Sequence, residues 1–235
     1  MNAAKARMIG WSVVLAARLG LAQAPLPTSY TGPWQTGIPP AGWTFASLGL
    51  DQIPDYDGIN DGAARFQTTN SAITIHYDAP AGALTYWVKG LTFSGGVFRV
   101  EQSVDGTNWT ELAAYTELPT NAVFQTRFPA AAARRVRFAY PSRVTGNVGV
   151  DGITVEAFVP PEISAVTATG GVVRVTVPAT TSGRSYALEH TTAITNVPVV
   201  WTADDAQAGT GSALVLRDLA PTNGLRLYRV RDATP

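Results

Sequence analysis

FSGGVFRVEQSVDGTNW (residues 93–109) and RRVRFAYPSRVTGNVGVDGITVE (134–156) are the two stretches that decide the fold of this chain. Apolar and polar residues alternate in both, and alternation places successive side chains on opposite faces of a β-strand. Val136, Phe138 and Tyr140 therefore share one face of their strand. Turn residues separate the alternating segments, so both stretches predict half-buried strands of an antiparallel sandwich.

The first stretch predicts a strand followed by a tight hairpin. Alternation places three residues together on its apolar face: Phe98, Val100 and Val104. Gln102 is the polar member of that set. Asp105-Gly106 comes next, and this pair favours a hairpin turn because glycine adopts positive φ without strain.

The whole chain predicts two all-β domains. Its 235 residues are 46% hydrophobic, and no helical period stands out after residue 24. Pro160-Pro161 marks the best boundary, since consecutive prolines cannot donate to a sheet and stiffen a linker. We therefore expect a jelly-roll β-sandwich over residues 25–158, a linker over 159–161, and a smaller immunoglobulin- or fibronectin-type sandwich over 162–235.

Residues 1–24 have the pattern of a secretory signal peptide. Lys5 and Arg7 precede an apolar run, and Ala22-Gln23-Ala24 has the form of a cleavage site. A short N-terminal helix is the alternative. Export predicts a secreted protein, and removal of the leader would leave 14 Lys and Arg against 17 Asp and Glu, a net charge of −3.

Composition argues against several classes of partner. Lys89 is the only lysine after the predicted leader, so the clustered positive charge that nucleic-acid binding requires is missing. No apolar run reaches the length of a membrane span, which argues against membrane insertion. Cysteine is absent, which removes disulfides and thiolate metal sites.

Three sequence elements resemble the galactose-binding-like or carbohydrate-binding-like jelly-roll modules of secreted bacterial multidomain proteins. They are LTYWVKG (84–90), SVDGTNW (103–109) and GNVGVD (146–151), within a resemblance that spans residues 41–156. It implies an accessory module that binds carbohydrate or supports attachment. SYALE (185–189), Trp201 and YRVR (228–231) resemble the immunoglobulin-like module that ends many such proteins.

Tryptophans and arginines are the candidate ligand-binding residues. Trp34 and Trp43 lie in an irregular entry segment, and Trp87 shares a strand face with Thr85 and Lys89, so an indole could stack on a sugar ring. Burial in the core is the alternative for each ring. The arginine candidates lie on predicted polar faces, where solvation is the alternative: Arg99, Arg135 and Arg137.

An acidic segment suggests a structural calcium site. DQIPDYDGINDG (51–62) is rich in oxygen ligands but fails the EF-hand spacing, so a solvated loop of Asp-Gly turns is the alternative. In related jelly rolls an early loop and the last strand often hold calcium. The resemblance therefore implies Ca²⁺ bound by Asp57, Asp61 and Asp151.

No catalytic residue is assigned from the sequence. His76 and His190 fall in different predicted domains, so neither domain offers a histidine cluster. The favoured function is a secreted, non-catalytic module that binds polysaccharide or a cell-surface glycan. A structural spacer without a small ligand and a glycan-active hydrolase or lyase stay as alternatives, because paired carboxylates need only meet in space.

Overall fold

The computed structural model describes residues 22–49, 62–194, 198–222 and 224–234. Within them the chain is almost entirely β-structure, apart from a short 3-10 helix, Trp34–Thr36. The first sandwich contains eleven strands, which are β1 Thr28–Tyr30, β2 Trp43–Ala46, β3 Leu48–Gly49, β4 Ala64–Phe66, β5 Ala72–His76, β6 Ala81–Ser94, β7 Val97–Ser103, β8 Thr110–Tyr115, β9 Val123–Arg127, β10 Arg135–Ser142 and β11 Thr145–Ala157.

Two antiparallel sheets form this sandwich. One has the order β3-β4-β11-β6-β9, with β1 paired to β11, and the other has the order β2-β5-β10-β7-β8. Aromatic side chains from both sheets meet between them, with Tyr86 against Phe138 at 4.9 Å and Phe66 against Phe98 at 5.0 Å between ring centroids. Edge-on packing of such rings adds to the hydrophobic stabilisation of the core.

The predicted core faces are largely confirmed. Val136, Phe138 and Tyr140 are fully buried, as are Phe98 and Val100. The prediction that Val104 shares this buried face is wrong. Strand β7 ends at Ser103, so Val104 belongs to the turn and is 61% exposed.

The hairpin after β7 has the predicted turn chemistry. Gly106 has φ +83°, the positive φ that the Asp-Gly pair predicts. Asp105 accepts hydrogen bonds from the backbone of Thr107 and Asn108, both at 2.8 Å, and from the Asn108 side chain at 2.7 Å. These donors hold the pKa of Asp105 well below its usual range, and the backbone N–H of Asn108 makes the largest contribution.

The described chain is anchored near its beginning by Ala24. This residue is fully buried, its N–H donates to the His76 carbonyl at 2.7 Å, and its carbonyl accepts from the Asp78 N–H at 3.2 Å. Gly42 has φ +81°, and a Cβ there would lie 2.2 Å from the Ala24 nitrogen. Residues 1–21 of the predicted leader lie outside the described residues, but Ala24 is part of the sandwich.

A second, smaller sandwich follows. Its strands are β12 Ala165–Thr169, β13 Val172–Val177, β14 Ser185–Thr191, β15 Thr202–Ala208, β16 Leu214–Asp218 and β17 Leu227–Asp232. They form two antiparallel sheets, β12-β13-β16 and β15-β14-β17, around a core that includes Val175, Leu188 and Leu216. The prediction of an all-β chain with a larger and a smaller sandwich is confirmed, whereas the immunoglobulin-type identity of the smaller one stays a prediction.

The two sandwiches contact each other through Arg184. Its Nη2 donates to the carbonyls of Ala81 and Gly82 at 3.2 and 2.8 Å, and its Nη1 donates to Asp232. Only 5% of Arg184 is exposed. The two sandwiches thus share a buried polar contact. Within the described residues no helix has the length and hydrophobicity needed to span a membrane.

Candidate functional site

Strands β5, β10 and β7 place polar residues on the outside of the five-stranded sheet. Register pairs Thr74 with Arg137 and Arg137 with Glu101, while Arg135 pairs with His76 and Ala139 with Arg99. All three arginines predicted to bind ligand therefore lie on one surface, which we term the arginine face. The reason is the alternation of each strand, because every second residue points away from the core.

Arg137 is already engaged on the arginine face. Its Nε and Nη2 donate to Glu101 Oε2 at 2.9 and 2.6 Å, and its guanidinium lies 4.1 Å from the centroid of the Trp109 ring. Glu101 is only 8% exposed, so the arginine neutralises a nearly buried carboxylate. Trp109 lies partly exposed under this guanidinium.

The other two arginines differ in their partners. Arg99 approaches Glu111 at 3.6 Å, and both side chains are largely exposed, a geometry that contributes little to stability. Arg135 makes a single long hydrogen bond, from Nη1 to the Val104 carbonyl at 3.4 Å, and pairs with no carboxylate in the described part of the chain.

A cleft of about 330 Å³ opens beside Arg135. Pro39, Pro40 and Ala41 lie along one part of it, and Thr44, Thr74 and His76 from neighbouring strands along another. The Gln23 amide nitrogen lies 3.0 Å from His76 Nε2. Burial, together with the positive charge of Arg135, lowers the pKa of His76, so its imidazole favours the neutral form.

Trp34 and Trp43 do not lie on the surface. Trp34 is 2% and Trp43 3% exposed, so the prediction that these rings stack on a ligand is wrong. The entry segment folds back on the sandwich, where the Trp34 indole donates to Asp151 Oδ1 and the Trp43 indole to Thr28 Oγ1, each at 3.0 Å. Both rings thus bury their apolar surface and satisfy their N–H groups.

Trp87 lies on the outside of the other sheet, where it meets an exposed phenylalanine. Its ring centroid is 5.4 Å from that of Phe124, the residue opposite it on β9, and Phe124 is 52% exposed. Thr85 pairs with Thr126 on one side and with Thr154 on the other. We term this surface, with its two rings and three threonines, the aromatic face.

Phe124 was missed as a site residue. It stands next to Val123 in the sequence, and two adjacent apolar residues hide the alternation that would have placed one of them outside. The antiparallel register of β9 against β6 supplies the missing information, because it sets Phe124 beside Trp87.

The structure describes only one of the three residues predicted to bind calcium. Asp57 and Asp61 lie outside the described residues. Asp151 is fully buried, and its Oδ1 accepts hydrogen bonds from the Trp34 indole at 3.0 Å and from the Gly152 N–H at 2.8 Å. A buried carboxylate is a suitable ligand for a hard cation, so Ca²⁺ binding at Asp151 stays a prediction.

In the smaller sandwich, a histidine and two aspartates come together around an arginine. His190, Asp204 and Asp218 place their ligand atoms within 4.8 Å of one another. Arg226 pairs with Asp218, and the Tyr228 hydroxyl donates to Asp218 at 2.8 Å. Arg226 Nη1 also lies 4.0 Å from Asp204 Oδ1, so one guanidinium balances both carboxylates, and the cluster forms an internal polar network.

Comparison with known proteins gives fold-level likeness alone. No protein-family model matches the chain, and no curated protein matches it. The K1 cleaved adhesin domain of Lys-gingipain from Porphyromonas gingivalis is 19% identical, over 56% of this chain and 99% of that chain, with a TM-score of 0.44. A family 29 carbohydrate-binding module, CBM29-2, is 13% identical, over 55% of this chain and 85% of that chain, with a TM-score of 0.36. The mannan-recognising module TmCBM27 is 11% identical, over 55% of this chain and 95% of that chain, with a TM-score of 0.33. These likenesses assign no ligand to the chain.

Proposed function

We propose that this chain is a secreted, non-catalytic binding protein whose larger sandwich binds a neutral polysaccharide on the aromatic face. The observation that carries the proposal is the contact of Trp87 with Phe124, two aromatic rings held together on the outside of a sheet. Large aromatic side chains that stay exposed are the groups that contribute most binding energy at recognition surfaces.

The aromatic face suits the chemistry of a sugar. A pyranose ring presents C–H groups on its faces and hydroxyls at its edge, so it needs a flat apolar surface next to hydrogen-bonding groups. Trp87 and Phe124 supply the surface, and Thr85, Thr126 and Thr154 supply hydroxyls on the same side of the sheet. Because these residues lie on paired strands, their backbone is already fixed before a ligand binds.

Binding to polysaccharides tests this function. The full chain is incubated with insoluble cellulose, xylan, mannan and galactan, and soluble oligosaccharides of any retained polymer are then titrated by calorimetry. We expect Trp87→Ala and Phe124→Ala each to weaken binding at least about tenfold, equivalent to about 1.4 kcal/mol. Trp87→Phe keeps an aromatic ring and should retain most of the affinity.

A matched control removes exposed apolar surface elsewhere in the same sandwich. Val144 is 61% exposed in the connection between β10 and β11, so Val144→Ala should bind as the unchanged protein does. Retention on polysaccharide that is insensitive to both aromatic substitutions would contradict the aromatic face as the site. No retention on any neutral polymer would contradict the proposed function.

A structural spacer is the second candidate function, favoured by the buried contact of Arg184 with Ala81 and Gly82. A polar contact between domains restricts their relative movement, which suits a protein that holds other modules apart. Small-angle scattering that fits one rigid conformation, together with no polysaccharide binding, would favour this candidate.

A further inference from the structure

Arg135 differs from the other two arginines of the arginine face in its charge balance. Arg137 is neutralised by Glu101, and Arg99 lies beside Glu111. Arg135 has no carboxylate partner within the described residues, and its one hydrogen bond goes to a backbone carbonyl. The arginine face thus holds one guanidinium whose charge is available to a ligand.

The adjoining hairpin leaves that guanidinium unpaired although it contains an acidic residue. Asp105 accepts hydrogen bonds from the turn itself, including the N–H groups of Thr107 and Asn108. The guanidinium instead lies over Gly106, where a Cβ would be 3.0 Å from Arg135 Cζ. The hairpin therefore supports the arginine sterically while its own carboxylate is occupied.

Groups of other kinds surround the same cleft. The hydroxyls of Thr44 and Thr74 have no hydrogen-bond partner among the described residues, and Pro39 and Pro40 add apolar surface. At about 330 Å³ the cleft lies at the small end of the usual range for ligand sites. It therefore offers one cation, two hydroxyls and an apolar wall within the space of a small ring.

We propose that this cleft binds a uronic acid unit of an acidic polysaccharide, with the sugar carboxylate on Arg135 and the sugar hydroxyls on Thr44 and Thr74. Guanidinium groups match carboxylates in geometry as well as charge, since two N–H groups can donate in parallel. The proline surface faces the C–H groups of the sugar ring. This site is separate from the aromatic face, because Arg135 and Trp87 lie on different sheets.

Calorimetry on the full chain tests the proposal with charged and uncharged versions of the same sugar. Tetramers of galacturonate, glucuronate and mannuronate are titrated, together with the methyl ester of any tetramer that binds. We expect an acidic tetramer to bind and its ester to bind at least tenfold more weakly. Added salt should weaken the binding of the acidic tetramer, because the charge of Arg135 is partly exposed to solvent.

Two substitutions separate a site at Arg135 from the general charge of the arginine face. Arg135→Gln should reduce affinity for the acidic tetramer at least tenfold, whereas Arg99→Gln removes the same charge from the same face and should stay within twofold. Thr74→Val removes a hydroxyl without changing charge and should weaken binding severalfold. Melting curves establish that each variant is folded. Trp87→Ala should leave uronate binding unchanged, which distinguishes this site from the proposed function.

Several results would overturn the proposal. They are equal binding of acid and ester, full affinity in Arg135→Gln, and no binding of any of the three acidic tetramers. Polyglutamate that binds as tightly as the uronate, with the same loss in Arg135→Gln, would show that the cleft recognises a carboxylate in a peptide instead of an acidic sugar.

Discussion

Replacing Arg184 should weaken both the smaller sandwich and its contact with the larger one. The side chain starts from the loop before β14, pairs with Asp232 and donates to the carbonyls of Ala81 and Gly82 at the start of β6. Its guanidinium also lies 5.0 Å from the Phe128 ring and 5.3 Å from the Phe158 ring. One residue therefore combines an ion pair, two hydrogen bonds and two aromatic contacts.

The size of the effect follows from what Arg184→Met leaves behind. Methionine fills much of the volume but donates no hydrogen bond, so Asp232 keeps a buried charge without its cation. Removing one partner of a buried ion pair costs about 3 to 5 kcal/mol. Asp232 retains a hydrogen bond from the Thr234 N–H at 2.9 Å, which favours the lower end of that range. For a chain of this length, about 3 kcal/mol lowers the melting temperature by about 6 to 12 °C.

Scanning calorimetry measures this loss, and small-angle scattering reports whether the domains separate. Arg217→Met is the control, since Arg217 is exposed on β16 of the same sandwich and its change should cost no more than about 0.5 kcal/mol. Asp232→Asn combined with Arg184→Met should cost less than the two single changes summed, because they remove the same pair. A loss below about 1 kcal/mol in Arg184→Met, with unchanged scattering, would refute the argument from burial.

Three further perturbations follow from the described contacts. A chain starting at Pro25 should melt at a lower temperature than one starting at Gln23, because it lacks the backbone hydrogen bonds of Ala24; equal melting would count against that anchor. Asp105→Ala should destabilise the protein at neutral pH, with the difference closing as the pH falls below about 4, since the carboxylate stabilises the hairpin only when ionised. A pH-independent difference would contradict this. Calcium should raise and EDTA lower the melting temperature, and Asp151→Asn should abolish that response.

Alternation predicted the fold wherever a strand has one apolar and one polar face. It identified β7 and β10 together with their buried residues. It missed β15, whose sequence TADDAQA has no apolar alternation. That strand is an edge strand held by its pairing with β14, which a pattern within one segment does not report.

The site residues were harder to predict because exposure depends on contacts between distant segments. Trp34 and Trp43 stand in a stretch without periodicity, and their burial results from hydrogen bonds to Asp151 and Thr28. Trp87 was placed on an outer face by alternation alone, because it lies within a long regular strand. Sequence reasoning thus succeeded where strand geometry determines orientation and failed where tertiary folding does.

An arrangement that recurs in both sandwiches shows that an arginine next to a tryptophan is not by itself a binding site. In each case an arginine pairs with a nearly buried glutamate and lies over a tryptophan ring. In the larger sandwich these residues are Glu101, Arg137 and Trp109. In the smaller sandwich they are Glu189, Arg229 and Trp201. A ring face covered by a guanidinium is not open to a sugar, and an arginine neutralised by a carboxylate attracts an anion weakly. Among the predicted ligand-binding residues, all of which the structure describes, this leaves Arg135 and Trp87, the latter with its neighbour Phe124. They lie on opposite sheets, so we expect a substitution at one site to leave binding at the other site unchanged.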